Sequence, residues 1–136
     1  MLGEKVGTFQ GKVTVQRILP AEGPHPRFET TAEATGTILG VNARVIATYW
    51  SQVLPDGSLY GETSGPSPTI TEDGEISTYR ATGTGRFTAQ GGVSFRGAAY
   101  YQGATGKLAA LNGVALVFEW DVDGNGNGQF GLWEWK

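Results

Sequence analysis

Tyr79-Arg80-Ala81-Thr82-Gly83-Thr84-Gly85-Arg86-Phe87 leads through Gln90-Gly91-Gly92 into Val93-Ser94-Phe95-Arg96-Gly97-Ala98-Ala99-Tyr100-Tyr101, and this stretch decides the fold. Small or aromatic residues alternate with polar residues on both sides of a glycine-containing turn. A period of two is typical of β-strands with one apolar face, and a tight turn between two of them predicts an antiparallel hairpin.

The same alternation recurs along the chain, interrupted by clusters of Gly, Pro, Asn and Asp. It predicts an all-β protein with eight strands: Gly11–Leu19, Arg27–Leu39, Asn42–Leu54, Ser58–Gly65, Glu75–Ala89, Val93–Gln102, Val114–Asp123 and Gln129–Trp135. The one helix-like segment, Gly106–Leu111, is a short connector that ends at Asn112-Gly113, where glycine can adopt a left-handed cap. We expect residues 1–136 to form a single domain.

A long meander with one apolar face must bury that face against itself, because only the short connector could cover it as a helix. Closing the sheet also removes both exposed edges. We therefore predict a single eight-stranded antiparallel up-and-down barrel with one short helical connector near residues 106–111.

Composition excludes several functional classes. Ten Lys and Arg against thirteen Asp and Glu give a net charge of -3, and the basic residues are scattered, which disfavours nucleic acid. The chain has no cysteine, so thiolate metal sites and cysteine nucleophiles are excluded. No apolar run reaches the roughly 18 residues of a membrane span, and the N-terminus lacks the apolar core of a signal peptide. We expect a cytoplasmic protein with no membrane partner.

The residues predicted to face the barrel interior are small in mid-strand. They are Ala32, Ala34, Ala47, Ala81, Gly83, Gly85, Gly97 and Ala99. One interpretation is structural, since small residues permit the strong coiling that barrel closure requires. The other is functional, since an eight-stranded barrel can just enclose one small ligand.

Larger inward positions are mostly aromatic, and their hydroxyl and indole groups could orient an apolar ligand. With the last hairpin in the register that we favour, the predicted ligand-binding residues are Arg17, Tyr49, Tyr79, Phe87, Phe95, Tyr101, Phe118, Trp120, Trp133 and Trp135. Arg17 is the one charge on the inward face of the first strand. It either binds a ligand carboxylate or extends to water at the rim. A packed aromatic core is the competing interpretation of the others.

Two segments resemble a known group of small barrels. Gly103-Ala104-Thr105-Gly106-Lys107-Leu108-Ala109-Ala110-Leu111-Asn112-Gly113-Val114, followed by Phe118-Glu119-Trp120, resembles the G-x-x-G-x-[LF]-x-x-L-x-G turn of allene oxide cyclase and the dirigent proteins. Tyr79–Phe87 is similar to their glycine-rich strand. The resemblance covers about the last 60 residues. It implies an eight-stranded barrel around an apolar pocket, frequent oligomers, and oxylipin, terpenoid-like or phenolic ligands. No catalytic position of either family matches.

Other motifs carry little chemistry. Asp121-Val122-Asp123-Gly124-Asn125-Gly126 matches the start of a calcium loop, but Leu132 stands where the bidentate glutamate would be, so a hairpin turn is favoured. His25 is the only histidine and lies between two prolines. We expect neither a metal nor another cofactor.

Three functions remain open. We favour a barrel that binds a small apolar or amphipathic molecule. The alternative is a cofactor-independent cyclase or isomerase, in which Tyr49, Tyr79 or Tyr101 donates a proton or holds an oxyanion. The third is a solid structural module that uses outer aromatics such as Trp50 and Tyr60 for contacts, and a homo-oligomer is compatible with all three.

Overall fold

Strands make up most of the chain in the computed structural model, which describes residues 1–136. The strands are β1 Leu2–Leu19, β2 Arg27–Ile38, β3 Val41–Val53, β4 Ser58–Thr63, β5 Ser67–Thr71, β6 Ile76–Phe87, β7 Val93–Tyr101, β8 Leu116–Val122 and β9 Asn127–Trp135. The only helix is a 3₁₀ helix at Gly106–Leu111, between β7 and β8.

The strands close into one antiparallel barrel. Each long strand pairs with its neighbours in sequence, and β1 pairs with both β2 and β9, which joins the two ends of the sheet. Strands β4 and β5 share one position, because both lie between β3 and β6. Eight positions therefore surround the interior, and the predicted eight-stranded barrel with its short helical connector is confirmed.

Most strand boundaries lie within two residues of the prediction, with two larger differences. The prediction missed β5, whose inward residues are Ser67, Thr69 and Thr71 and whose hydroxyls hide the expected apolar alternation. Strand β1 begins at Leu2 and not at Gly11, because its first half pairs with β9 and completes the closure.

Four hairpins use the same three-residue turn, which ends in a glycine with positive φ. The glycines Gly57, Gly74, Gly91 and Gly126 have φ between 85° and 87°. In each turn the backbone N–H of the residue before the loop donates to the carbonyl oxygen of the residue after it, as in Asp123 N–H to Asn127 O at 2.9 Å. A left-handed residue in the third position is typical of three-residue hairpin loops.

The β2–β3 hairpin has a two-residue turn at Leu39-Gly40, whose φ values are 49° and 74°. The predicted turn was one residue later, at Gly40-Val41. The correct turn pairs Ile38 with Val41 and changes the register by two residues, which preserves the face of every side chain. The predicted inward faces of β2, β3, β4, β6 and β7 are confirmed.

Some inward glycines are required by close contact between strands. A Cβ atom at Gly36 would overlap the backbone carbonyl of Thr8, and one at Gly97 would overlap the carbonyl of Thr82. These positions support the structural interpretation of the small residues, because the strands coil until their backbones touch.

The two ends of the barrel differ. The 3₁₀ helix lies at one end and buries Leu108 and Leu111, and its connector is held by paired hydrogen bonds between Asn112 and the backbone of Ala104, at 2.7 and 2.8 Å. The other end carries the loop at residues 20–26 and three of the glycine turns. No helix in this fold has the length and apolar character needed to cross a membrane.

Candidate functional site

The middle of the barrel contains a partly open cavity of about 70 Å³. A single water molecule needs about 10–15 Å³ of cavity volume, so the space corresponds to about five molecules of water size. An apolar group of about five or six heavy atoms would occupy it. The cavity is smaller than the pockets that enclose drug-sized ligands, which measure about 300–1,000 Å³.

The cavity has two chemically different walls. One wall is made of small residues from β2, β3, β4 and β6, namely Ala32, Ala34, Ala47, Gly61, Ala81 and Gly83. The other wall is aromatic and consists of Tyr49, Tyr79, Phe95, Phe118, Trp120 and Phe130. The alternation of strand residues places both sets inside, and the lack of side-chain volume on the first wall leaves the space empty. An apolar cavity of this kind favours a hydrocarbon group over water.

A hydrogen bond links two residues of the aromatic wall whose strands, β3 and β8, lie on opposite sides of the barrel. The indole N–H of Trp120 on β8 donates to the hydroxyl oxygen of Tyr49 on β3, with 3.0 Å between Nε1 and Oη. Burial raises the pKa of Tyr49, and the hydrogen bond from Trp120 and the nearby Thr30 hydroxyl lower it by less. Tyr49 is therefore a neutral phenol at physiological pH, and its polar atom faces a mostly carbon surface.

Two further phenols lie toward the end of the barrel that the 3₁₀ helix covers. Tyr79 and Tyr101 have ring centroids 5.3 Å apart. The hydroxyl of Tyr101 shares a hydrogen bond with Thr69 at 2.6 Å. Burial raises the pKa of Tyr101 to about 12 and raises the pKa of Tyr79 further. Both phenols remain protonated across the physiological range, which suits them to hydrogen bonding and not to proton transfer.

Five of the ten predicted binding residues line the cavity: Tyr49, Tyr79, Phe95, Phe118 and Trp120. Tyr101 is buried beside Tyr79 but does not reach the cavity surface. Phe87 lies on the inward-facing side of β6, as predicted. It stands at the end of the strand, however, where it is half exposed and does not line the cavity.

The predicted inward position of Arg17 was wrong. A β-bulge between Val13 and Val15 reverses the faces of β1, so Arg17 pairs with Glu29 on the outer surface. The guanidinium forms an ion pair with Glu29 at 2.6 Å, and 68% of the Arg17 side chain is exposed. A ligand carboxylate inside the barrel cannot reach it.

The prediction for Trp133 and Trp135 was also wrong. The even residues of β8 pair with the even residues of β9, as in Trp120 with Phe130, so the odd residues of β9 face outward. The ammonium of Lys5 lies 4.9 Å from the centroid of the Trp133 ring on the outer face. Trp135 is 60% exposed at the end of the strand.

The same register change places Phe130 at the centre of the aromatic wall, a residue that the sequence pattern did not single out. Its ring lies within 6.2 Å, between centroids, of the rings of Phe9, Tyr79, Phe118 and Trp120. The signal that could have identified it is the turn Gly124-Asn125-Gly126, which has the same form as the other three-residue turns.

The acidic residues near that turn are engaged within the protein. Asp121 forms an ion pair with Arg96 at 2.9 Å. The carboxylate of Asp123 accepts hydrogen bonds from the backbone N–H groups of Asn125 and Asn127, at 2.9 and 3.0 Å, and these bonds lower its pKa. The motif is therefore the closing turn of the β8–β9 hairpin.

The outer aromatics Trp50 and Tyr60 form a cluster with Glu62. The Trp50 and Tyr60 rings are 5.7 Å apart, and the Tyr60 hydroxyl donates to Glu62 at 2.5 Å. The guanidinium of Arg27 covers the Trp50 ring at 4.2 Å. Ring packing, a cation–π contact and a hydrogen bond therefore hold the cluster together.

No known protein family and no curated protein matches the chain. Two solved structures share its fold. A conserved protein of unknown function from Rhodopseudomonas palustris has a TM-score of 0.77 at 11% identity, over 98% of this chain and 97% of that one. A protein of unknown function from Clostridium acetobutylicum has a TM-score of 0.80 at 13% identity, over 96% of each chain. The fold is thus shared with neighbours of unknown function.

Proposed function

We propose that this protein binds a small apolar molecule, or the apolar end of an amphipathic one, inside the barrel. The observation that supports the proposal is the empty space between a wall of alanine and glycine and a wall of aromatic rings. Close-packed protein interiors leave few voids larger than a water molecule. Ala32, Ala34, Ala47 and Ala81 could each carry a larger side chain into this void, so the sequence maintains a space that packing alone would fill.

The size of the cavity sets the expected affinity. Transfer of a CH₂ group from water to an apolar site contributes about 0.8 kcal/mol, so a ligand of about five carbons gains about 4 kcal/mol. That free energy corresponds to a Kd of about 1 mM. Tighter binding needs either a polar contact or a ligand whose remaining part lies at the mouth of the barrel.

The alternative proposal is a cofactor-independent cyclase or isomerase, of the kind suggested by the resemblance to allene oxide cyclase and the dirigent proteins. The neutral Tyr49 phenol in an apolar space favours it, since such a group can stabilise a developing oxyanion. The cavity holds only about five or six heavy atoms, so an oxylipin or terpenoid substrate would require widening of the barrel. We therefore favour binding of a smaller ligand or of one end of a longer one.

A size series tests the proposed function. Cyclopentane, cyclohexane and decalin are titrated into the protein, and binding is followed by backbone amide NMR shifts. We expect shifts at cavity residues with cyclopentane, and none with decalin. Mass spectrometry of the native protein, purified without added ligand, would identify a molecule that is retained from the cell.

A matched pair of variants locates the binding. Ala81→Val fills the cavity wall and should abolish the cyclopentane shifts. Ala98→Val makes the same change on the outer face of the adjacent strand, where Ala98 pairs with Thr82, and should leave them unchanged. Equal binding by both variants, or saturable decalin binding within the barrel, would contradict the proposed site.

A further inference from the structure

The hydrogen bond between Trp120 and Tyr49 fixes the direction in which the Tyr49 proton can be donated. An indole N–H only donates, so in the 3.0 Å contact between Nε1 and Oη the Tyr49 oxygen is the acceptor. The neighbouring Thr30 Oγ1 accepts a hydrogen bond from Gln16 Nε2 at 3.2 Å. Thr30 and Tyr49 make no direct hydrogen bond in the structure, so Trp120 is the one protein partner of the Tyr49 hydroxyl.

The Tyr49 hydroxyl donates no hydrogen bond to any protein group in the structure. A buried donor without an acceptor is unfavourable, and buried hydroxyl groups normally find a partner. Tyr49 lines the cavity, so an acceptor inside the cavity is the partner that this geometry leaves open. The other cavity phenol, Tyr79, lies opposite Ser67, whose buried hydroxyl has no hydrogen-bond partner. Tyr49 is distinguished by the Trp120 N–H, which occupies its oxygen as an acceptor.

We infer that the ligand carries one acceptor oxygen, of the carbonyl or ether type, which accepts a hydrogen bond from Tyr49 while the hydrocarbon part lies against the alanine and glycine wall. This inference rests on the proposed function and specifies the ligand class. Trp120 is a positioning residue, since it holds the Tyr49 oxygen as an acceptor and so directs the remaining proton into the cavity. The rest of the cavity surface is mostly carbon, so the ligand is expected to be apolar apart from that oxygen.

The test compares two probes of the same shape. Cyclopentanone and methylenecyclopentane differ by a C=O group in place of a C=CH₂ group, and both are titrated into the wild-type protein, Tyr49→Phe and Tyr60→Phe. Tyr60→Phe removes the same hydroxyl from the outer face and is the matched control. A neutral hydrogen bond contributes about 0.5–1.5 kcal/mol, so we expect Tyr49→Phe to weaken cyclopentanone binding by about two- to tenfold. Methylenecyclopentane binding should not weaken in any of the three proteins.

A second measurement uses the wild-type protein alone and needs no variant to fold. The infrared C=O stretch of bound cyclopentanone should shift to lower frequency than in cyclohexane, because the oxygen accepts a hydrogen bond. An unshifted stretch would overturn the inference even if Tyr49→Phe failed to fold.

The outcomes separate the two proposals. If methylenecyclopentane binds and the affinity for cyclopentanone is the same in Tyr49→Phe as in the wild type, the inference is overturned and the proposed function stands. A loss of cyclopentanone binding in Tyr79→Phe but not in Tyr49→Phe would overturn the assignment of Tyr49. If neither probe bound the wild-type protein, both the proposed function and the inference would be overturned.

Discussion

Gly128 on β9 lies directly against the indole ring of Trp120 on β8. A Cβ atom at position 128 would overlap three atoms of that ring. The absence of a side chain at Gly128 therefore lets Trp120 take the position from which its N–H reaches Tyr49. A single glycine in the last hairpin thus helps to position a side chain that crosses the barrel and contacts β3.

Gly128→Ala should displace the Trp120 ring. Overpacking of a well-packed core costs about 1–3 kcal/mol, so we expect the free energy of unfolding to fall by that amount in urea titrations. The Trp120–Tyr49 hydrogen bond should lengthen or break. Gly65→Ala is the control, because no atom lies within 4 Å of a Cβ at position 65, and it should change stability by less than about 0.5 kcal/mol. Equal effects of the two variants would contradict the packing described for Trp120.

Arg17→Ala tests the outer position of Arg17. Its partner Glu29 lies on the same exposed face, and exposed ion pairs contribute at most about 1 kcal/mol. We expect a loss of stability within that limit, smaller at high salt, and unchanged affinity for cyclopentane. A large loss of cyclopentane binding in NMR titrations would indicate that Arg17 contacts the cavity and would contradict the bulge in β1.

The sequence predicted the barrel because closure depends on the period-two alternation, which is visible in every long strand. It also predicted most of the cavity wall of small residues. Ala32, Ala34, Ala47 and Ala81 lie between turns that were placed accurately enough to keep these residues on the inward face. Register errors of two residues, as at Leu39-Gly40, leave the inward and outward faces unchanged, because side chains keep their side of the sheet.

Register errors of one residue, in contrast, placed side chains on the wrong face of the sheet. The bulge between Val13 and Val15 has no glycine or other turn residue to mark it, so the outward position of Arg17 could not be predicted. The last hairpin was different, because Gly124-Asn125-Gly126 has the same form as Pro55-Asp56-Gly57. Applying one turn geometry to both would have paired Trp120 with Phe130 and placed Trp133 outside. The cavity volume depends on side-chain packing, which strand patterns do not specify.

Alkaline pH should unfold the protein through its buried phenols. The pKa of Tyr101 is about 12 in the folded protein, against 10.0 for an unperturbed tyrosine. Between these values the folded state binds more protons than the unfolded state, so stability falls as pH rises. Tyr101 alone should reduce the free energy of unfolding by up to about 1.4 kcal/mol per pH unit in this window, and have no effect below it. Tyr79 adds to this loss, since burial raises its pKa further.

Tyr101→Phe checks the assignment. The variant should be less stable than the wild type at neutral pH, because Thr69 loses its hydrogen-bond partner. Its stability should fall less steeply above pH 10, as measured by urea unfolding together with tyrosinate absorbance. The same slope in both proteins would exclude Tyr101 as a source of the alkaline transition.

The four tryptophans should report on the cavity unequally. Trp120 is 8% exposed and lines the cavity, whereas Trp135 is 60% exposed at the end of β9. Indole emission responds to the polarity around the ring, so Trp120→Phe should remove the most blue-shifted component and the one best protected from acrylamide. Trp135→Phe should remove the component that acrylamide quenches most. Cyclopentane should change the emission of the wild type and of Trp135→Phe, but not of Trp120→Phe, and a ligand response that survives in Trp120→Phe would place the binding site outside this cavity.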